Sequence, residues 1–425
     1  MTAIVGVLNR RGLAFAADSA ATYTSASGQK ITNHTNKIFA LSKYKPVGIA
    51  LYNNIDFIGV PWENIIKMYR DDLRKRDYAT LEEYIKSFWA FMKKCCLPQL
   101  AFEQLQNVAL IAGEYHKEVN AYALQQIGGN ISAANEAQYF QSYISKLDDF
   151  KASFMPSKAD DYKNYKLNDF KKYAKIAIDN ALASIIAMPN KPTNIREKFE
   201  ESLFSWVCHS SHNYFGYTGL VFWGYGEKEV FPSYKEYLVS TAVDNRIKYT
   251  LNSLYTISNE INKRAVIAPF AQFDVTNTVI RSVEDALRQR FYDDNRTILT
   301  GFRDEMVNQL TAAGAPQQLV NVLQALDVDK YADDYKQGMD DYIQSNYIDS
   351  LIETIAYLGK EDLADIAESL VRMTCIKRHV TTSQETVGGP VDVAVITKGD
   401  GFIWMKRKHY FSPELNPQFF ERYNI

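Results

Sequence analysis

At 425 residues the chain exceeds one typical domain of roughly 100–200 residues and can bury a sizeable core. Its composition is that of an ordinary globular protein, 46% hydrophobic and 23% charged, and a formal charge of −2 excludes a chain-wide basic surface for nucleic acid or membrane. Cys95, Cys96, Cys208 and Cys375 form no disulfide framework and no charged segment precedes an apolar run at the start, so the expectation is a cytoplasmic protein with no signal peptide and no membrane span.

The first elements are β. Thr2–Asn9 alternates, Arg10-Arg11-Gly12 turns, and Leu13–Ala17 returns. The polar stretch Ser19 to Asn36 reads as a loop. Lys37–Leu41 and Val47–Leu51 are two further short apolar strands, joined by Ser42–Pro46. These four strands are expected in one hairpin-built sheet packed on a second sheet. The period then becomes helical. Trp62, Ile65, Ile66 and Tyr69 share a face, as do Leu81, Tyr84, Ile85 and Phe88. Residues from about Ile131 to Phe204 continue as helix, broken at Pro189–Pro192. A second β region follows at Tyr217–Trp223, Glu229–Phe231 and Tyr237–Ala242, with turns at Gly224-Tyr225-Gly226 and Pro232-Ser233. Leu251 to Leu370 reads as helix again, and a last helix near Leu363–Cys375 leads to strands Val391–Ile396 and Phe402–Lys406 around the turn Lys398–Gly401. Sheet, helix, sheet, helix and sheet in separate runs predict an α+β fold.

Candidate chemistry starts at Thr2. A small residue after the initiator methionine permits methionine removal, which would leave a threonine with both a hydroxyl and a free α-amine. Such an amine has an ordinary pKa of about 7.7–8 and can act as a base on its own hydroxyl, whose oxygen then attacks a carbonyl. Many chains begin Met-Thr, so the context carries the weight. The hairpin anchors this residue in a sheet, and its second strand ends at Asp18, which hairpin geometry can return to the start of the first. Lys37 opens the third strand. A lysine there would lower the amine pKa by repulsion and stabilise a developing oxyanion. Each charge also has a plain reading: Asp18 as a strand end, Lys37 as a solvated edge charge.

The start MTAIVGVLNRRGLAFAADSAAT resembles the mature start of proteasome β-subunits and bacterial proteasome-like peptidases, which are N-terminal-nucleophile (Ntn) hydrolases. Val387-Gly388-Gly389-Pro390 and the strand that follows, up to Gly401, resemble that family's late Ser-Gly-Gly turn. The resemblance implies Thr2 as nucleophile, Asp18 as the acidic partner and Lys37 as the catalytic lysine. Tyr52 or Asn53 stands at the place of the oxyanion-hole glycine. Val387 stands where a serine is expected, with Ser383 or Thr386 as substitutes, and Ala20 replaces an arginine. The implied fold is a four-layer αββα sandwich (the Ntn hydrolase fold) with large helical insertions. Residues 1–114 would be the first part of the core, 115–215 a helical insertion, 216–250 core strands, 251–360 a second helical insertion, and 361–425 the last core helix and strands. The implied function is a threonine-dependent amidohydrolase, a peptidase acting on peptide or protein substrates as a homo-oligomer, with room for an unfolding or regulatory partner and no cofactor or metal. An inactive scaffold of the same fold and a small-amide amidase are the alternatives.

Other motifs are weaker. Cys208, His209 and His212 suggest a metal pair, but no carboxylate accompanies them and a packed pair is the expectation. Gly224-Tyr225-Gly226 lacks the rest of a nucleotide-binding fingerprint. Lys406–His409 is a short basic cluster, read as a solvated strand end. Cys375 is expected in the core.

Overall fold

A computed structural model describes residues 2–25, 28–155, 157–210, 216–381, 387–409 and 411–421. The protein is mixed α+β, with several antiparallel sheets and many helices. It divides into two compact units, one of residues 1–35, 256–397 and 403–425, the other of residues 36–255 and 398–402. No helix among the described residues is long and apolar enough to cross a membrane.

The first unit is built on the initial hairpin. Strands β1 (Ile4–Asn9) and β2 (Gly12–Ala17) pair antiparallel from Asn9 opposite Gly12 to Ile4 opposite Ala17. The Arg11 N–H donates to Asn9 Oδ1 (2.8 Å), which tightens the turn, and Asn9 Nδ2 donates to the carbonyls of Ile355 and Leu358 (2.8 and 3.0 Å). A buried asparagine is thus satisfied and ties the turn to a distant segment. Next come the ribbon β3 (Ala21–Ser25) and β4 (Gly28–Thr32).

The second unit begins with β5 (Ile38–Ala40) and β6 (Val47–Asn53), followed by a two-residue ribbon, β7 (Asp56–Phe57) and β8 (Val60–Pro61). After its helices come β9 (Thr218–Gly224), β10 (Ser233–Val243) and β11 (Arg246–Thr256). The order in this sheet is β11-β10-β9-β6-β5. The chain then supplies β12 (Ala265–Ala271), β13 (Asp392–Thr397) and β14 (Gly401–Lys406), which flank the first hairpin in the order β12-β1-β2-β13-β14.

Helices α1 (Trp62–Leu73) and α2 (Leu81–Phe91) carry the two apolar faces read from the sequence. Those faces pack on Val47, Ile49, Leu51, Leu220 and Phe222. Thr80 caps α2 by accepting from the Glu83 N–H (3.3 Å). A separate helical core follows, built by α3 (Ala101–Gln126), α4 (Glu136–Phe154), the short α5 (Leu167–Tyr173), α6 (Lys175–Ala181) and α7 (Ala183–Ile186), and α8 (Ile195–Cys208). In the first unit α9 (Phe273–Arg281), α10 (Asp285–Ala312), α11 (Gln317–Gln324), α12 (Val328–Ile343) and α13 (Asp349–Ile355) precede α14 (Lys360–Val380). Leu363, Ala367, Leu370 and Val371 of α14 pack on Val5, Val7, Ala14 and Ala16 of the hairpin. Two alanines on that face of β2 let the helix approach closely.

Four expectations are corrected. The strands beginning near Thr2, Leu13, Lys37 and Val47 do not share one sheet: β1 and β2 lie in one, β5 and β6 in another. The free edge of β2 is taken by β13, from the far end of the chain, and β6 pairs with β9. The stretch 19–36 contains the β3–β4 ribbon and is not wholly loop. Residues 251–256 and 265–271 are strand, not helix. In β12 the AVIAPFA run is β-branched and aromatic. Its Pro269 sits beside a register shift opposite Ile4 and Val5, where a missing N–H is tolerated. Glu229–Phe231 is turn and bend, and the strand begins only at Ser233.

Gly224 ends β9 with φ +136°, and a Cβ there would lie 2.1 Å from the Pro46 carbonyl oxygen. Gly224→Ala is therefore expected to destabilise the protein by about 2–3 kcal/mol, combining backbone strain with overpacking. The shift of the urea unfolding midpoint measures this, and a loss below about 0.5 kcal/mol would contradict the close approach.

Candidate active site

The open end of the β1–β2 hairpin brings Thr2 and Ala3 beside Asp18. The Asp18 N–H donates to the Ala3 carbonyl (3.1 Å), and the Ala3 N–H donates to Asp18 Oδ1 (2.9 Å). The side chain thus takes over from the ladder one residue after Thr2. Asp18 Oδ2 accepts from the N–H groups of Ala20 and Gly388, both at 3.1 Å. The carboxylate is 1% exposed and gathers three backbone donors from three segments. Such a group sets backbone geometry, because each donor left unpaired in a buried site carries a large penalty.

The same junction is fixed a second way. The Ser19 N–H donates to the Gly388 carbonyl (3.0 Å), Ser19 Oγ donates to the Pro390 carbonyl (2.5 Å), and the Thr35 N–H donates to the Ser19 carbonyl (3.0 Å). Gly389 has φ +76°, and a Cβ there would stand 2.9 Å from the Asn33 carbonyl oxygen. The late Gly-Gly turn picked out from the sequence therefore closes on the end of the first hairpin.

Thr2 is 5% exposed, so the candidate nucleophile is held in the packed end of the sheet. Lys37 lies in the other compact unit, immediately before β5. Its carbonyl accepts from the Leu51 N–H (2.9 Å), and the residue is 1% exposed, which removes the reading of a solvated edge charge. At the oxyanion position the two candidates separate. Asn53 has φ +68°, the left-handed conformation that asparagine tolerates, and its Nδ2 donates to the Tyr217 carbonyl (2.7 Å). Tyr52 is buried and its hydroxyl donates to Glu236, whose other oxygen accepts from Asn252 Nδ2 (2.7 Å) and Ser253 Oγ (2.6 Å). Burial first, and then the Glu236 carboxylate, raise the Tyr52 pKa far above its ordinary value, so that phenol is a neutral structural donor. Ser383 and Thr386 lie outside the described residues.

Cys208 closes α8 in the helical core, and burial pushes its thiol up to about 12. His212 lies outside the described residues. No group of three or more potential metal ligands occurs among the described residues. In the basic cluster, Lys406 and Lys408 are paired with Glu368 and Asp392, and Arg407 lies over the Trp404 ring at 4.8 Å. Lys406, Arg407 and His409 are exposed, as expected of a solvated strand end, and only Lys408 is sheltered in its pair.

One unusual group left no trace in the sequence. Lys248 in β11 is 1% exposed, donates to the Trp206 carbonyl (3.3 Å), and has its pKa lowered to about 7 by burial. Its folded value lies below the unfolded one, so between about pH 7 and 10.5 the unfolded chain binds more protons and stability rises with pH. The contribution is at most about 1.4 kcal/mol per pH unit. Urea midpoints measured across that window should rise in the native protein and flatten in Lys248→Met. An unchanged slope in the variant would remove Lys248 as the cause.

No protein-family model matches the chain, and no curated protein matches it. Among solved structures, an Anbu (Gly-1) mutant from Hyphomicrobium sp. strain MC1 aligns over 100% of this chain and 95% of its own, at 7% identity and a TM-score of 0.29. A likeness that low carries no inference. The identification with proteasome β-subunits and bacterial proteasome-like peptidases is therefore withdrawn. It rested on residues 1–22 and 387–401 of a 425-residue chain, and a hairpin whose end is tied by a carboxylate and a Gly-Gly turn is a local hydrogen-bonding solution open to unrelated proteins.

Proposed function

We propose that the chain is a threonine-dependent amidohydrolase acting on peptides, with Thr2 as nucleophile once it is the first residue of the mature protein. The observation that carries this reading is the junction at Asp18. Three backbone N–H groups converge on one buried carboxylate, one of them from the residue next to Thr2, so the candidate nucleophile has a rigid seat. In the proposed reaction the Thr2 α-amine takes the hydroxyl proton and Oγ bonds to the peptide carbonyl carbon. The C–N bond breaks as that proton passes to the leaving amine, which leaves an ester on Thr2. Water, deprotonated by the same amine, then hydrolyses the ester. In this reaction Lys37 is kept as the charge that would lower the amine pKa, and of the two oxyanion candidates Asn53, whose backbone is left-handed, is taken in preference to the buried, hydrogen-bonded Tyr52. The four-layer αββα arrangement is part of the same proposal.

The test is intact-mass analysis of the protein, followed by treatment with an electrophile that captures an N-terminal threonine. One adduct at Thr2 is expected, and none in Thr2→Ala. Retention of Met1, or a mature protein that takes no label, would defeat this reading and leave an inactive scaffold. The burial of Thr2 favours a second reading, a small amide as substrate in place of a peptide. Relative turnover of a peptide and a small amide decides between them.

A further inference from the structure

The second compact unit contains a cationic pocket that is not among the residues assigned above. It has a volume of about 360 Å³ and is lined by Lys43, Tyr44, Arg70, Asp71, Arg74 and Lys75. The lining contains four basic residues and one acidic one. Arg70 and Arg74 lie one turn apart at the end of α1, and Tyr44 belongs to a turn fixed by Ser42 Oγ, which accepts from the N–H groups of Tyr44 and Lys45 (both 3.1 Å).

The neighbours of these cations show what is unusual. Lys45 pairs with Asp77 (3.2 Å) and Glu227 (3.4 Å), and Arg76 pairs with Asp72. Among the described residues no carboxylate lies within ion-pair reach of Arg70, Arg74 or Lys75. Arg70 Nε is buried without a hydrogen-bond acceptor. A guanidinium offers five donors in a rigid fork, and each donor buried without an acceptor is costly. Lys75 Nζ stands 5.4 Å from the centre of the Tyr44 ring, which is 48% exposed and offers a face beside the charges. Arg74 holds φ +48° and ψ −124° at the helix end, a conformation that favours glycine.

We propose that this pocket binds a small ligand through a diphosphate or triphosphate group. Arginine forks match phosphoryl oxygens in pairs, and more than one phosphoryl charge is needed to engage Arg70, Arg74 and Lys75 together. The volume falls in the usual small-molecule range of about 300–1,000 Å³ and favours a compact ligand over an extended polymer. The carbonyl end of α1 repels an anion along the helix axis, so the phosphoryl groups sit to its side, on Arg70 and Arg74. The Tyr44 face lies where a planar group attached to the phosphates would stack.

Pyrophosphate is the probe. Calorimetric titration of the full chain at constant ionic strength is expected to show saturable one-site binding, with a rise in Tm beyond that given by sodium chloride of equal ionic strength. Lys75→Ala and Arg70→Met should each weaken binding about tenfold or more. Because Arg70 is partly buried, Arg74→Gly provides a second variant, one expected to keep the fold. It removes a guanidinium and relieves the positive φ, so Tm without ligand should rise while pyrophosphate binding falls about tenfold. The proposal is overturned if pyrophosphate acts no differently from sodium chloride, if Arg74→Gly and Lys75→Ala bind it as the native protein does, or if only RNA or anionic vesicles bind. None of these outcomes bears on Thr2.

Discussion

Lys37→Ala is expected, if Thr2 reacts as proposed, to lower turnover by the mature protein about 10²–10³-fold, the cost of removing one electrostatic group that acts on a developing oxyanion. The residue is 1% exposed, so its charge is little screened by solvent. Loss of rate alone would not separate chemistry from damage to the fold, and the pH profile does. On the proposed mechanism the Lys37 charge lowers the pKa of the Thr2 amine by repulsion, so its removal should move the limb on which the amine becomes a free base to higher pH. Lys37→Met keeps most of the side-chain volume and no charge, and should reproduce both effects; its unfolding midpoint, measured in parallel, reports what loss of the buried ammonium costs the fold. If Lys37→Met turns over substrate at the native rate with an unshifted limb, the charge plays no part and the assignment of Lys37 fails.

Asp18→Ala is expected to cost about 3–5 kcal/mol of stability. The substitution strands the N–H groups of Ala3, Ala20 and Gly388 around a buried space, and each orphan carries about 1–3 kcal/mol before relaxation. The three share one partner, so their costs will not simply add. Asp18→Asn is the informative companion. Its amide oxygen can take the place of Oδ2 and keep two donors, but the NH₂ group then faces the Ala3 N–H, donor against donor. An intermediate loss of about 1–2 kcal/mol is expected, with the disturbance centred on Ala3 and hence on Thr2. Urea unfolding gives the stabilities, and amide exchange at Ala3 reports the local effect. A loss below about 1 kcal/mol for Asp18→Ala would mean that the junction is held by Ser19 and the Gly-Gly turn instead.

The sequence by itself determined the local elements. The hairpin turn at Arg10 and Arg11 was legible because two alternating runs flank it, and the faces of α1 and α2 because Trp62, Ile65, Ile66 and Tyr69, and likewise Leu81, Tyr84, Ile85 and Phe88, recur at helical spacing. Asp18 as the residue closing the hairpin was legible for the same reason: strand geometry fixes which residue returns to the start. Sheet membership was not, because a short apolar strand looks the same in either sheet. Which edge β2 offers, and that β13 takes it, depends on pairing across hundreds of residues. The AVIAPFA run of β12 does not declare itself a strand, because a short apolar run has no decisive period and its partner, β1, lies far away in the chain. Tertiary structure alone also decided the state of the charges. Lys37 and Lys248 look like any surface lysine until the surrounding elements close over them, and Arg70, Arg74 and Lys75 stand out only because other nearby cations found carboxylates and these did not. Spacing along a chain records local geometry. Burial and pairing are properties of what distant segments bring to the same place, and for those groups only the folded chain supplies the answer.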